Sequence, residues 1–154
     1  MKCYLQQLFF LILSFIQLSS SLCPCYCKCL WRSSKITVDC GGVGLTKLPE
    51  NINTATQVLN MTGSDIPTLS WNVFYDSGPT NLQRLYLRNC KIRQIHNQAF
   101  NGLPNLIELD LSENKLHQIP SQSFVIISGL NSLILNTKKG YKMCPMGHSK
   151  DCTA

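Results

Sequence analysis

Two stretches of the sequence, LQRLYLRNCKIRQI at residues 82–95 and LIELDLSENKLHQI at residues 106–119, share one spacing of residue types. In both, apolar residues stand at offsets 0, 3, 5, 10 and 13, and a cysteine or asparagine stands at offset 8. The two frames start 24 residues apart, and each is followed five residues later by Phe100 or Phe124. Neither a helical period nor strict strand alternation produces this spacing. It indicates an internal repeat.

An earlier copy of the repeat starts 26 residues before Leu82 and is degenerate. Thr56 replaces its first leucine, and Ser64 replaces the asparagine. Its apolar positions and its late phenylalanine are kept at Leu59, Met61, Ile66, Leu69 and Phe74. The repeat can therefore still be recognised in this part of the chain, although two of its characteristic positions are substituted.

A fourth copy starts at Leu130 and continues through Leu133 and Leu135. Lys138 then occupies the asparagine position, and nothing apolar follows in register. We expect three repeats and a broken fourth at residues 51–136.

The pattern L-x-x-L-x-L-x-x-N/C-x-L with a period of about 20–29 residues is that of leucine-rich repeats. It predicts an α/β fold, a short leucine-rich-repeat solenoid with a curved parallel sheet. A short strand in each repeat points Leu85 and Leu87 inward and Tyr86 outward. Asn114, and less effectively Cys90, binds backbone groups where the chain turns away from the strand. The late phenylalanines fill the core between coils.

The outward strand positions form the concave face, which is the usual binding surface of a solenoid. The predicted partner-binding residues are Gln57, Asn60, Thr62, Gln83, Arg84, Tyr86, Arg88, Ile107, Glu108, Asp110 and Ser112. Arg84, Tyr86 and Arg88 form a basic and aromatic cluster of the residue types enriched at binding hot spots. Glu108 and Asp110 face this cluster from the next strand. A solvated face with internally paired charges is therefore an equally open alternative.

The amino terminus has the features of a secretory signal, with a basic residue, an apolar run at residues 8–16, and small residues at Ser19 and Ser21. We expect the signal to span residues 1–21, with cleavage before Leu22. A membrane anchor is disfavoured because a spanning helix needs about 20 apolar residues. A bacterial lipoprotein signal is disfavoured because a bulky residue precedes the first cysteine of the mature chain. No second apolar stretch is long enough to span a membrane.

Eight cysteines follow this signal, and in an oxidising compartment they are expected to form disulfides. They are Cys23, Cys25, Cys27, Cys29, Cys40, Cys90, Cys144 and Cys152. The first five lie at residues 22–50, where residues 36–39 alternate as a strand. Because a solenoid end exposes an apolar face, we predict that this segment caps the repeats. A Cys-x-Cys-x-Cys-x-Cys thiolate metal site is the disfavoured alternative.

The cap segment resembles the cysteine-rich amino-terminal cap of extracellular leucine-rich-repeat proteins. The resemblance implies two disulfides, Cys23 with Cys29 and Cys27 with Cys40. Cys25 has no place in that scheme. It replaces Cys23 in the pairing, stays free, or crosslinks two chains.

Three segments look like the insect kekkon family: CLWRSSKITVDC at residues 29–40, NLQRLYLRNCKI at 81–92 and GLPNLIELDLS at 102–112. The resemblance covers residues 23–135. It implies a cell-surface protein with an immunoglobulin domain and one membrane span, involved in developmental signalling and in restraint of the epidermal growth factor receptor. This sequence departs from the family after Leu135, where those later parts are missing. We therefore expect a truncated or soluble kekkon-like form.

Asn60-Met61-Thr62 is the only N-glycosylation sequon in the sequence. A glycan on Asn60 would cover the amino-terminal part of the concave face, unless the sequon is unused. In the irregular tail at residues 137–154, we expect Cys144 to pair with Cys152. A zinc site that includes His148 and an unstructured tail with free thiols are the alternatives.

Composition excludes several functions. The net charge is +6, but charged residues make up only 14% of the 154 residues, without the dense basic runs of a nucleic-acid-binding arm. No nucleophile motif, phosphate loop or metal signature is present, so we expect no enzymatic activity and no cofactor.

The sequence therefore predicts a secreted or cell-surface protein that binds an extracellular protein or a receptor ectodomain. The alternatives are a small structural protein of the extracellular matrix and a non-functional fragment of a longer receptor. The broken last repeat would leave Leu130, Leu133 and Leu135 poorly covered. Self-association through an uncapped carboxyl end is expected on that ground.

Overall fold

A computed structural model of the chain describes residues 23–117 and 121–135. Within these ranges the chain forms eight short strands and two five-residue helices. In chain order they are β1 Lys28–Arg32, β2 Lys35–Asp39, β3 Val58–Asn60, β4 Thr68–Leu69, α1 Val73–Ser77, β5 Arg84–Tyr86, β6 Gln94–Ile95, β7 Glu108–Asp110, α2 Ser121–Val125 and β8 Ser132–Ile134.

Six strands form one sheet in the order β1-β2-β3-β5-β7-β8, and β4 pairs with β6 in a separate two-stranded sheet. Every neighbouring pair in the large sheet is parallel except the β1–β2 hairpin. The repeat leucines are in register, since Leu59 pairs with Leu85, Leu85 with Leu109 and Leu109 with Leu133. The predicted parallel sheet is confirmed, and the predicted cap strand is β2. Strand β1 was not predicted.

A ladder of backbone hydrogen bonds continues each strand by one residue. Cys40 N donates to Asn60 O at 2.8 Å and Met61 N donates to Tyr86 O at 2.8 Å. Leu87 N and Leu111 N make the corresponding bonds to the next strands, to Asp110 O and Ile134 O. Because each bond joins equivalent positions of successive coils, the register passes unbroken from the cap to the last described strand.

The core lies behind the sheet, where the repeat leucines are fully buried. The late phenylalanines stack through it: the ring centroids of Phe74 and Phe100 are 5.9 Å apart, and those of Phe100 and Phe124 are 5.8 Å apart. Such aromatic pairs contribute about 0.5–1.5 kcal/mol each beyond their buried area. The predicted role of these phenylalanines is confirmed.

Asn114 is buried and uses both ends of its amide to join two coils. Its Oδ1 accepts hydrogen bonds from the backbone N–H groups of Cys90 (2.9 Å) and Ile92 (3.0 Å). Its Nδ2 donates to the carbonyl oxygens of Leu87 (2.7 Å) and Leu111 (2.9 Å). These backbone groups turn away from the sheet ladder, and without the amide they would be buried unpaired. The predicted function of the asparagine position is confirmed.

Cys90 occupies the same position one repeat earlier and performs part of this function. Its Sγ donates to Met61 O at 3.1 Å, which corresponds to the bond from Asn114 to Leu87 O. A thiol cannot accept two N–H groups as an amide oxygen does. Accordingly, Ile66 N turns instead to the Cys90 carbonyl, at 2.9 Å.

The first coil has two polar substitutions at core positions. Thr56 and Ser64 are both fully buried, and neither hydroxyl oxygen has a hydrogen-bond partner among the described residues. An unsatisfied buried hydroxyl costs about 1–3 kcal/mol. The degenerate repeat therefore keeps its geometry at some cost in stability.

The structure describes the beginning of the last repeat, whereas its predicted break at Lys138 lies outside the described residues. Strand β8 forms, and Leu130, Leu133 and Leu135 are only 3%, 6% and 6% exposed. The expectation that these leucines lie poorly covered is therefore wrong, because they pack into the common core behind the sheet. The exposed leucines on which we had based the expected self-association of this end are therefore absent from the described residues.

The cap contains the two disulfides that the family resemblance implied. Cys23 is bonded to Cys29, and Cys27 is bonded to Cys40. Cys25 belongs to neither pair but is disulfide-bonded as well, so it is not a free thiol. In the loop-closure model each of the two short cap loops contributes roughly 2–3 kcal/mol.

Several predictions from the sequence lie outside the described residues. They are the signal at residues 1–21, the repeat position at Ile119, Lys138 and the rest of the tail at residues 137–154, and the Cys144–Cys152 pair.

Replacing Asn114 by alanine would leave four buried backbone groups without their side-chain partner. We expect Asn114→Ala to lower the free energy of unfolding by about 3 kcal/mol, measured by urea denaturation. Asn131→Ala, at an exposed position, is the matched control, with an expected change below about 0.5 kcal/mol. Equal losses for the two variants would contradict the bridging role of Asn114.

Burial raises the pKa of the Cys90 thiol, although backbone N–H groups of Ser64 and Gly63 partly offset this. The thiol therefore stays protonated and unreactive in the folded chain. We expect alkylation of Cys90 by iodoacetamide at pH 8, followed by peptide mapping, to be at least about tenfold slower in native protein than in urea. Because the folded-state pKa is the higher one, the thiol's contribution to stability is complete below its unfolded pKa. That contribution is lost as the pH rises through the folded value. Equal native and denatured rates would contradict this burial.

Candidate binding surface on the concave face

The outward side chains of the large sheet form two rows across its six strands, because residues paired across neighbouring strands point to the same side. The row at the entry side of the parallel strands is Leu30, Thr37, Val58, Arg84, Glu108 and Ser132. The row at the exit side is Lys28, Asp39, Asn60, Tyr86, Asp110 and Ile134. These rows and the residues that flank them are the concave face.

The predicted site residues fall into three groups on this face. Asn60, Arg84, Tyr86, Glu108 and Asp110 lie in the rows themselves. The entry edge holds Gln57, Gln83 and Ile107, which are linked in turn by backbone hydrogen bonds. The exit edge holds Thr62, Arg88 and Ser112, whose carbonyl oxygens accept backbone bonds from the neighbouring coils. The fold therefore brings all of them to the large sheet or to its two edges.

Ser112 contributes little surface. It is only 6% exposed, because it lies in the turn whose carbonyl oxygens Asn89 and Asn114 bind. The expectation that Ser112 is an accessible contact residue is wrong.

The cap contributes a third of the strands in this face. Thr37, which is only 6% exposed, and Asp39 continue the two rows, Lys35 flanks them, and β1 adds a further strand. These residues were not predicted to belong to the face. The signal was present in the sequence, where the apolar residues Ile36 and Val38 alternate with polar residues at positions 35, 37 and 39.

Arg84, Tyr86 and Glu108 form one cluster in the middle of the face. Arg84 Nε lies 3.2 Å from Glu108 Oε2, and the Tyr86 hydroxyl donates to Glu108 Oε1 at 3.1 Å. Burial raises the pKa of Tyr86, and the Glu108 carboxylate raises it further, so the hydroxyl remains a donor. The expected lateral pairing is confirmed for Arg84, which keeps 41% of its side chain exposed.

Two further cations near the middle strands are paired as well. Arg88 contacts Glu113, and Lys91 contacts Asp65, in both cases between exposed side chains. Glu113 raises the pKa of Arg88, first by hydrogen bonding and then by its charge. Exposed pairs of this kind add little stability. Their effect is to neutralise the positive charge on this part of the face.

A cavity of about 210 Å³ opens at the cap end of the face. It is lined by Arg32, Ser33, Lys35, Thr37, Asp39, Val58, Asn60, Arg84 and Tyr86. Lys35 Nζ donates to the neutral amide oxygen of Gln83. The Asp39 carboxylate accepts hydrogen bonds from Gly41 N and Asn60 Nδ2. Positive charge therefore dominates the wall of this cavity.

Asn60, the sequon residue, is held by both ends of its side chain. Nδ2 donates to Asp39 at 2.9 Å, and Oδ1 accepts from Thr62 N at 3.0 Å. Gly41 packs against this amide so closely that an added Cβ would lie 2.9 Å from Nδ2. Asn60 is partly exposed on the exit row.

Other chemistry is limited in the part of the chain that the structure describes. Residues 23–117 and 121–135 contain no group of three His, Cys, Asp or Glu side chains able to hold a metal ion. Neither of the two five-residue helices in these ranges has the length or the apolar run needed to cross a bilayer.

The repeats are similar to those of known leucine-rich-repeat proteins. Residues 80–137 match the leucine rich repeat family. Mouse chondroadherin-like protein is 34% identical over 90 residues, which are 58% of this chain and 12% of that protein. Trophoblast glycoprotein of Macaca fascicularis is 31% identical over 113 residues, 73% of this chain and 26% of that protein. Leucine-rich repeat-containing G-protein coupled receptor 5 of Xenopus tropicalis is 33% identical over 92 residues, which are 60% of this chain and 10% of that protein.

The crystal structure of human trophoblast glycoprotein, also named Wnt-activated inhibitory factor 1, has the same fold. Its TM-score is 0.66 at 28% identity, over 78% of this chain and 43% of that chain. This chain thus spans about a quarter or less of the length of the relatives it matches by sequence. Fold, register and family match agree: the chain has the leucine-rich-repeat fold with a disulfide-bonded amino-terminal cap, and its residues 80–137 belong to the leucine-rich repeat family.

Proposed function

We propose that the chain is an extracellular protein-binding module that recognises another protein, such as a receptor ectodomain, through its concave face. The observation that carries this proposal is the single outward surface of six strands, with Arg84 and Tyr86 near its middle. Tyrosine and arginine are enriched among residues that dominate binding energy. Both side chains are partly exposed, yet the Glu108 contacts hold them in place.

The similar proteins support an extracellular interaction role. One is named as a glycoprotein and another as a leucine-rich repeat-containing G-protein coupled receptor. They are 31% and 33% identical to this chain over the matched residues. Secretion through the signal at residues 1–21 is part of the proposal. So is a closer relationship to kekkon-like proteins, which the cap motif and Cys90 in the asparagine position support.

A binding screen with matched tyrosine variants tests the proposed surface. The full chain, produced in the secretory pathway of cultured animal cells and multimerised, is screened against purified receptor ectodomains and against collagen. For an ectodomain that binds, we expect Arg84→Ala and Tyr86→Ala each to weaken binding at least about tenfold. Tyr75→Ala is the control, since Tyr75 is 67% exposed on α1, which is outside the large sheet, and it should change binding less than about twofold.

Three outcomes would count against the proposal. Equal losses in the Tyr86 and Tyr75 variants would move the binding site away from the concave face. Binding to collagen with no ectodomain bound would favour a structural role in the matrix. No binding to either would contradict a recognition module.

Asn60 is the proposed glycosylation site. A glycan occupies one of the two Nδ2 hydrogen positions, so the other N–H can keep its bond to Asp39. The glycan would lie on the exit row, two residues or about 7 Å along the strand from the entry row. It would therefore leave the entry side of the face open.

We expect protein from animal cells to lose mass on treatment with peptide N-glycosidase. Thr62→Ala should abolish this change because it destroys the sequon while keeping Asn60 and the backbone N–H that Asn60 binds. An unchanged mass for the unmodified chain would show that the sequon is unused.

A further inference from the structure

Charge is segregated along the concave face. The cap end contributes Lys28, Arg32 and Lys35, and none of these takes part in an ion pair among the described residues. The opposite end contributes Glu108, Asp110 and Glu113, of which the two glutamates are paired with arginines. The face therefore has an excess of positive charge at the cap, where Asp39 is the neighbouring carboxylate, whereas both glutamates farther along are paired with arginines.

The cavity at the cap end concentrates this positive charge. Arg32, Lys35 and Arg84 line it together with one carboxylate, that of Asp39, which already accepts two hydrogen bonds. Arg84 Nε is buried and makes no well-aligned hydrogen bond, although it contacts Glu108. Lys35 is bound only to a neutral amide oxygen. The cavity is thus built to accept an anionic group.

The surroundings of the cavity select the kind of anion. Neighbouring strands are about 4.8 Å apart, so Glu108 and Asp110 lie within about 10 Å of the β3 residues that line the cavity. A long polyanion such as a sulfated polysaccharide would meet these carboxylates. In the entry row, Leu30 is 37% exposed, and Val58, which lines the cavity, is 9% exposed. A short acidic segment with apolar neighbours matches this combination.

We infer that the cap end of the concave face binds an acidic segment of a partner protein, with one Asp or Glu side chain of the partner between Arg32, Lys35 and Arg84. This inference rests on the proposed function and specifies the chemistry of the partner. Complementary charges of this kind contribute specificity and speed association, and their effect decreases with salt.

The test uses the full chain carrying Thr62→Ala, so that no glycan borders the cavity. The probe is a fluorescein-labelled peptide of four glutamates and two leucines. Its binding is measured by fluorescence anisotropy at low salt. The same peptide with lysine in place of glutamate is the control for charge. We expect saturable binding of the acidic peptide alone, and weakening of at least about tenfold when R32E and K35E are combined.

The matched control combines R93E and K115E, which make the same change in net charge. Arg93 and Lys115 are exposed and lie outside the two rows. Binding should change less than about twofold in this variant. A second measurement locates the peptide independently of any folding defect in the variants. It records the changes in NMR chemical shift that the peptide causes in the chain with the unmutated cavity, at the backbone amides of Thr37, Val58 and Arg84. We expect these amides to shift most.

Several results would overturn the inference. They are absence of saturable binding, equal losses in the two double variants, and shifts centred away from the cavity. A heparin hexasaccharide that binds more tightly than the peptide, and is lost in the same double variant, would reassign the site to a polysaccharide. An ectodomain that requires Tyr86 but binds the R32E and K35E chain at full strength would refute the inference and leave the proposed function standing.

Discussion

The rest of the structure depends on one ladder of backbone hydrogen bonds. In this ladder, the N–H group of the residue after each strand donates to the carbonyl oxygen of the last residue of the neighbouring strand. It is made by Cys40, Met61, Leu87 and Leu111, all buried. Because side chains alternate along a strand, this one register sends the leucines into the core and directs Arg84 and Tyr86 outward. A slip of one residue would exchange the two faces. Core and candidate binding surface are therefore set by the same bonds.

The cap belongs to the same sheet and is more than a cover for its end. The Cys27–Cys40 disulfide lies where β2 ends and the ladder begins, so it holds the first coil in the register of the repeats. As a result, Lys35, Thr37 and Asp39 extend the surface that the repeats build. The cavity arises at this junction, with walls from the cap hairpin, β3 and β5. Cap and repeats act together as one platform for a partner.

Local patterns predicted much of this fold. The spacing around Leu85 and Leu109 predicted the parallel strands, and the type of residue at position 114 predicted its contacts, because each depends on one repeat and its neighbour. The pairing of Cys27 with Cys40 came from resemblance to a family. Strand β1 escaped prediction because all five of its residues are exposed and show no alternation of burial. The burial of Leu130 and Leu133, the low exposure of Ser112 and the cavity depend on distant segments, which local spacing does not encode.

The central claim is that cap and repeats form one continuous surface. Native-state hydrogen exchange tests it most directly, followed by NMR with increasing urea at the four ladder amides Cys40, Met61, Leu87 and Leu111. We expect all four amides to exchange only through global unfolding, with one common free energy and one common dependence on urea. Exchange of Cys40 through a separate opening of lower energy would contradict it, because the cap would then be a detachable unit and the concave face would be divided at β2.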